Sequence, residues 1–157
     1  MVWGVICGPI QSELIIMPVG KQKVVDFIDN VYHVGLLPFI NKLVKAGIAA
    51  NCEGLMLMEG GACIHTALSS KKWHQTHQIH KFAWPPSSPD LNLIENLWFK
   101  MNFVVTNLFN SKTMDELRNE IHIVCNAMPF EYLEALAVSM PASRQMVVDK
   151  NRATTQW

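Results

Sequence analysis

The chain is most tightly constrained by a proline-rich segment at residues 84–89, which reads WPPSSP. Proline fixes its own φ angle, restricts the preceding residue and has no N–H to donate, so this segment pairs poorly in a sheet and does not continue a helix. We predict a stiff loop that faces a sheet edge or a cleft. The residues before it and after it follow different hydrophobic patterns.

Before the loop, short apolar runs bounded by glycine or proline alternate with helical periodicity. Residues 2–7 and 13–17 predict two strands of a hairpin, and the run at residues 55–58 predicts a buried central strand covered on both faces. The remaining elements predicted here are a helix or helix pair over 23–47 interrupted near Pro38, a helix over 65–75 and a short strand over 79–82.

After the loop, the pattern is helical. Apolar residues recur at helical spacing over 94–108 and 114–128, and a shorter helix is predicted over 132–140. Thr113 and Glu116 have the spacing of a capping box at the start of the second helix. The whole pattern predicts a mixed α/β fold with an antiparallel hairpin, later parallel strands and a helical C-terminal part.

Composition excludes several classes of protein. The 157 residues suit one globular domain, and 13 basic against 13 acidic side chains argue against a self-sufficient DNA-binding module. The four cysteines form no CxxC pair, and no window is long and apolar enough to span a membrane. We expect free thiols and a nuclear or other intracellular protein that is neither secreted nor membrane-bound.

Residues 84–98, WPPSSPDLNLIENLW, closely resemble the WPPxSPDLNPIENLW signature of the mariner/Tc-type transposases. Residues 57–67 resemble that family's strand-end motif, and residues 139–141 resemble its SMP box. The resemblance covers nearly the whole chain. It implies an RNase H-like DDE catalytic domain that cleaves and joins DNA with two Mg²⁺ or Mn²⁺ ions.

The resemblance also implies three metal-binding carboxylates. Glu95 occupies the position of the third, and the second belongs thirty-four intervening residues earlier, where this chain has Gly60. The first would lie on a strand preceding Val2. Because hard divalent cations require several oxygen ligands, we expect this chain to bind no metal ion.

The absent first strand would be central in the RNase H-like sheet. We therefore expect residues 1–157 to be a single partial catalytic domain, truncated at the N-terminus. Its sheet should be split, or repaired by the hairpin pairing directly with residues 55–58, since unpaired buried strand edges are costly.

Each candidate site residue has a structural alternative. Glu59 is one residue from the required position, which directs its side chain to the opposite face of a strand. Asn92 and Glu95 have the spacing of a capping box, which accounts for Glu95 without metal.

The stretch from residue 71 to residue 81 is basic and aromatic, which favours either weak nucleic-acid contact or a solvated helix face. Its candidate contacts are Lys71, Lys72, Trp73 and Lys81. His74 and His77 have a metal-compatible spacing, but no cysteine or carboxylate converges with them in sequence. His65 matches the family's motif or is a satisfied, partly buried histidine.

Three functions follow from these observations. The first is a degenerate transposase domain without catalytic activity and with weak residual DNA binding. The second is an active DDE endonuclease, which requires an upstream strand and a compensating ligand. The third is a non-enzymatic interaction domain that binds protein partners or associates with itself.

Overall fold

A computed structural model describes residues 1–49, 54–82 and 91–149, with side chains as far as residue 140. The described part is a mixed α/β structure, as predicted, with six two-residue strands and a helical C-terminal region. Its contacts divide it into two compact units: one contains the described residues among 1–4 and 15–87, and the other those among 5–14 and 88–157.

The predicted N-terminal hairpin is present in part: residues 2–7 form two short strands rather than one, and the first of them has the predicted partner. Strand β1 (Val2–Trp3) pairs antiparallel with β4 (Ile15–Ile16) in the first unit, with Val2 opposite Ile16. In the second unit, β2 (Ile6–Cys7) pairs antiparallel with β3 (Ile10–Gln11). Gly8 turns the chain between β2 and β3 with a φ of 55°, a conformation that glycine adopts at little cost.

Residues 24–45 form one continuous helical run that contains a π-helical middle. It consists of α1 (Val24–Phe27), a π segment (Ile28–Leu36) and α2 (Leu37–Lys45). The Leu37 N–H donates to the Tyr32 carbonyl five residues earlier, which is the π-type spacing. The wider turn explains why helical residues 27, 32 and 36 are all buried.

Gly35 allows the β1–β4 pair to approach the π segment closely. A Cβ atom at this position would lie 2.5 Å from Ile15 Cδ1 and 2.8 Å from Trp3 Cζ3, both well inside contact distance. The absence of a side chain at residue 35 is therefore a packing requirement of the first unit.

Strand β5 (Met56–Leu57) pairs in parallel with β6 (His80–Lys81), which confirms a strand within 79–82. The prediction of a buried central strand over residues 55–58 is wrong, because Met56 is 63% exposed and β5 has β6 as its one partner among the described residues. Within the described ranges, the strands form three separate pairs, and the hairpin does not pair with β5.

The helix predicted over 65–75 is present in two pieces, α3 (Cys63–Thr66) and α4 (Leu68–Thr76). The break occurs at Ala67, whose ψ of 148° is extended. Trp73, on α4, packs against Tyr32 of the π segment with ring centroids 4.8 Å apart. Together with Phe27, Leu36 and Phe39 these residues form much of the core of the first unit.

The second unit contains α5 (Leu93–Leu108), α6 (Met114–Asn126) and α7 (Phe130–Asp149). The capping box at Thr113 and Glu116 is confirmed: the Glu116 N–H donates to Thr113 Oγ1 at 3.2 Å, and the Thr113 N–H donates back to Glu116 Oε2. Helix α7 is longer than predicted because it continues through Pro141.

Two further properties are seen in the described part of the structure. None of its helices is long and apolar enough to cross a membrane. Cys7, Cys63 and Cys125 are free thiols.

Candidate functional site

Glu95 lies in the first turn of α5 and its side chain is exposed. The Glu95 N–H donates to the Asn92 carbonyl at 2.9 Å, but the Asn92 side chain makes no capping hydrogen bond. The predicted capping box is therefore wrong at this helix, where Asn92 is buried. The Glu95 carboxylate has no ion-pair partner among the described residues.

Gly60 follows β5 by three residues, in the connection that leads to α3. A Cβ atom built at Gly60 meets no atom within 4 Å, and the backbone there does not have a positive φ. The position has room for a larger side chain. The chain nevertheless supplies no ligand at the position where the resemblance requires the second carboxylate.

Glu59, the neighbour of Gly60, is the centre of a buried polar cluster. Its side chain is 8% exposed. Oε1 accepts hydrogen bonds from the Tyr32 hydroxyl at 2.8 Å and from His65 Nδ1 at 2.9 Å. Oε2 lies 2.8 Å from the Lys81 ammonium and 3.9 Å from Nε2 of His74.

The partners keep Glu59 ionised. Burial alone would raise the pKa of Glu59, but hydrogen bonds and charge from His65 and Lys81 outweigh it, and the net pKa lies below the usual glutamate value. Burial raises the pKa of Tyr32, and the Glu59 charge raises it further. Tyr32 is thus fixed as a hydrogen-bond donor to a carboxylate that is already paired with a lysine.

The candidate nucleic-acid residues are placed in three different environments. Lys71 and Lys72 are exposed on α4, whereas Trp73 is only 7% exposed. Lys81 is partly buried against Glu59. In this conformation, Trp73 does not present a face on which a base could stack, so any nucleic-acid contact from this stretch rests on Lys71 and Lys72.

His74 is a functional candidate whose environment was not evident from sequence. Its side chain is 4% exposed, and neither ring nitrogen has a hydrogen-bond partner in the described structure. His65 is a partly buried histidine whose Nδ1 is bound to Glu59, which agrees with one of the two alternatives predicted for it. His77 stacks on Trp73 with centroids 4.1 Å apart.

The described side chains are not arranged as a divalent metal site. Among the described residues, no three His, Cys, Asp or Glu side chains are grouped so that they could hold a metal ion. Gly60 has no ligand atom, and the Glu59 oxygens are occupied by Lys81, His65 and Tyr32. Residues 83–90, which include the whole proline-rich loop, lie outside the described residues.

Comparisons with known proteins place the chain among transposases. The sequence profile of the DDE superfamily endonuclease family matches residues 15–118. The Tc1 transposase of Caenorhabditis elegans is 30% identical over 105 residues, covering 67% of this chain and 38% of that protein. The Tcb2 transposase of Caenorhabditis briggsae is 29% identical over 93 residues, covering 59% and 34%.

The Tc3 transposase of Caenorhabditis elegans is 26% identical over 141 residues, which are 89% of this chain and 40% of that protein. The chain therefore spans between a third and two fifths of the length of these relatives.

Proposed function

Because the chain belongs to the DDE superfamily endonucleases of Tc1/mariner-type transposases, we propose that it is a degenerate catalytic domain that no longer cleaves DNA. The whole of residues 1–157 would form one partial domain with an RNase H-like arrangement. The observation that carries the proposal is the pair at residues 59 and 60: the required position is a glycine, and the adjacent carboxylate is bound by Lys81.

The proposed loss of metal binding has an electrostatic cause. Two divalent ions carry about +4 charge and require several carboxylates, because Mg²⁺ gives up its water ligands reluctantly. Gly60 contributes no charge, and the charge of Glu59 is balanced within the protein by Lys81. Glu95 is then left with too few partners to hold two ions.

The test is nicking of supercoiled plasmid by the purified 157-residue chain in Mg²⁺ or Mn²⁺. We expect no metal-dependent cleavage above that of Glu95→Gln, and no saturable Mn²⁺ binding by electron paramagnetic resonance. Gly60→Asp, for which the structure has space, should strengthen Mn²⁺ binding. Metal-dependent nicking by the unaltered chain that disappears in Glu95→Gln would instead establish the active endonuclease.

Weak DNA contact is a further part of this proposal. Lys71 and Lys72 are adjacent and exposed on α4, and the first turn of that helix contains no acidic residue. Two phosphate contacts would give a slope of log K against log salt of about −1.8. Filter binding should lose this signal in Lys71→Glu/Lys72→Glu. It should retain the signal in the control Lys42→Glu/Lys45→Glu, which changes two exposed lysines on α2. A chain that contacts DNA would act in the nucleus.

Self-association is a second candidate role. Phe99 and Phe103 lie one helical turn apart on α5 and are both exposed. Burial of such a pair between two copies would be favourable, since aromatic side chains contribute strongly to interfaces. Light scattering coupled to gel filtration should then show a dimer mass that reverts to a monomer mass in Phe99→Ser/Phe103→Ser.

A further inference from the structure

The buried imidazole of His74 has an environment that accepts the neutral ring but not an added proton. The ring lies with its centroid 4.9 Å from that of Tyr32 and 5.6 Å from that of Trp73. The acidic oxygen paired with Nε2 in this environment, Glu59 Oε2, is 3.9 Å away, beyond hydrogen-bond distance. An imidazolium here would be desolvated without a close acceptor.

The negative charge of Glu59 is already used by other groups. Lys81 Nζ lies 2.8 Å from Oε2, and His65 Nδ1 lies 2.9 Å from Oε1. Burial is the main cause that lowers the pKa of His74. Glu59 opposes this effect, and the charges of Lys81, His65 and His77 add to it. The charges of the groups that face His74 therefore balance while its ring is neutral.

His74 is also where α4 meets the rest of the first unit. Its carbonyl accepts a hydrogen bond from the Ile79 N–H at 2.9 Å, which fixes the chain entering β6. Its ring faces Tyr32 of the π segment and Glu59, which lies two residues after β5. The charged or titratable groups around it come from every neighbouring element: Tyr32, Glu59, His65, His77 and Lys81.

We propose that His74 is an acid-sensitive switch: when it gains a proton, α4 separates from the π segment and from the β5–β6 pair. This inference does not depend on the transposase proposal, because it concerns the packing of the first unit alone. It would hold in a chain with or without nuclease activity.

The direction of the pH dependence follows from linkage. A histidine in an unfolded segment has a pKa of about 6.5, and the pKa in the folded protein is lower. The unfolded state therefore binds the proton first, so stability is complete above about pH 6.5 and decreases as the pH falls below it. The contribution of Glu59, whose folded pKa is also lowered, is lost only below about pH 4.5.

Hydrogen exchange of α4 amides, followed by mass spectrometry on the full chain, tests the proposal. If opening releases His74 to a pKa of about 6.5, the fraction of open α4 should rise between pH 7.5 and pH 5.5, by about tenfold at most. The change should be absent in His74→Gln, which does not titrate. It should persist in His80→Gln, which removes an exposed histidine from neighbouring β6.

A second measurement keeps the test decisive if His74→Gln does not fold. The imidazole Cε1–H resonance of His74 in the unaltered chain should titrate in the closed state at a lower pH than that of an exposed histidine. Equal protection of α4 at pH 7.5 and pH 5.5, or titration of His74 in the folded chain at or above pH 6.5, would overturn the proposal.

Discussion

Glu59 and Glu95 are acidic residues in the two segments that resemble the transposase motifs, and their environments are opposite. Glu59 stands one residue from the position of the second carboxylate, is buried, and has Tyr32, His65 and Lys81 as partners. Glu95 occupies the position of the third carboxylate and is exposed without an ion-pair partner among the described residues. The comparison teaches that the carboxylate one residue out of register is part of the core of the first unit, whereas the one in register makes no ion pair with a described residue.

The largest difference between the two residues should appear on neutralisation. Glu59→Gln removes the charge that balances the partly buried Lys81, and the cost of breaking a fully buried pair, about 3–5 kcal/mol, is the upper bound for this change. Glu95→Gln changes an exposed side chain and should alter the free energy of unfolding by less than about 0.5 kcal/mol. Urea unfolding monitored by circular dichroism measures both; equal effects would contradict the assignment of Glu59 to the core.

Lys81→Met tests the same ion pair by removing its cation instead of its carboxylate. Since Lys81 is 26% exposed and His65 remains as a partner, we expect a smaller cost than for Glu59→Gln, about 1–3 kcal/mol.

The same variant should change the acid limb of the stability curve. The pKa of Glu59 should rise when the ammonium is removed, so the loss of stability on acidification should begin at a higher pH than in the unaltered chain. Thermal unfolding between pH 3.5 and pH 7 measures this shift, and an unchanged acid limb would show that Lys81 does not stabilise the Glu59 charge.

Glu116 provides the smallest test, because it has the same third helical position in α6 that Glu95 has in α5. Glu116 accepts a hydrogen bond from the Thr113 N–H at the start of its helix, and Glu95 makes no equivalent bond to Asn92. Glu116→Ala should cost about 0.5–1 kcal/mol and Glu95→Ala less. The two variants are compared by the denaturant midpoint; a larger cost at Glu95 would mean that its carboxylate supports α5.

Sequence periodicity was sufficient for the elements whose hydrophobic faces are set locally. Helical spacing of apolar residues predicts α5 and α6 correctly, and the apolar runs bounded by glycine and proline predict the pairing of β1 with β4. Residues 55–58 were misassigned because an apolar run shows that a strand forms but not how many neighbours it has. Strand β5 has β6 as its partner among the described residues, and Met56 is therefore exposed.

The identical spacing of two capping boxes illustrates a second limit. Thr113 forms its capping hydrogen bond, but Asn92 is buried and does not. Spacing along the chain predicts which residues are close enough to form a hydrogen bond, whereas the surroundings of each side chain decide whether that bond forms.

The cluster around Glu59 could not be predicted because its members come from separate segments. The π segment contributes Tyr32, the connection after β5 contributes Glu59, and α3 contributes His65. Helix α4 contributes His74 and strand β6 contributes Lys81. No local period relates them. A sequence signal existed only in retrospect: an isolated acidic residue at the end of an apolar run requires a cation if it is buried.

The π segment gives the first unit a tolerance to changes in chain length. Because its wide turns hold a surplus residue relative to an α-helix, deletion of one exposed residue before Gly35, such as Asn30, would allow ordinary helical winding while α1 and α2 keep the same sides toward the interior. The same deletion within α4 would rotate all subsequent side chains by about 100°. Natural insertions and deletions in this region should therefore concentrate between Ile28 and Leu36.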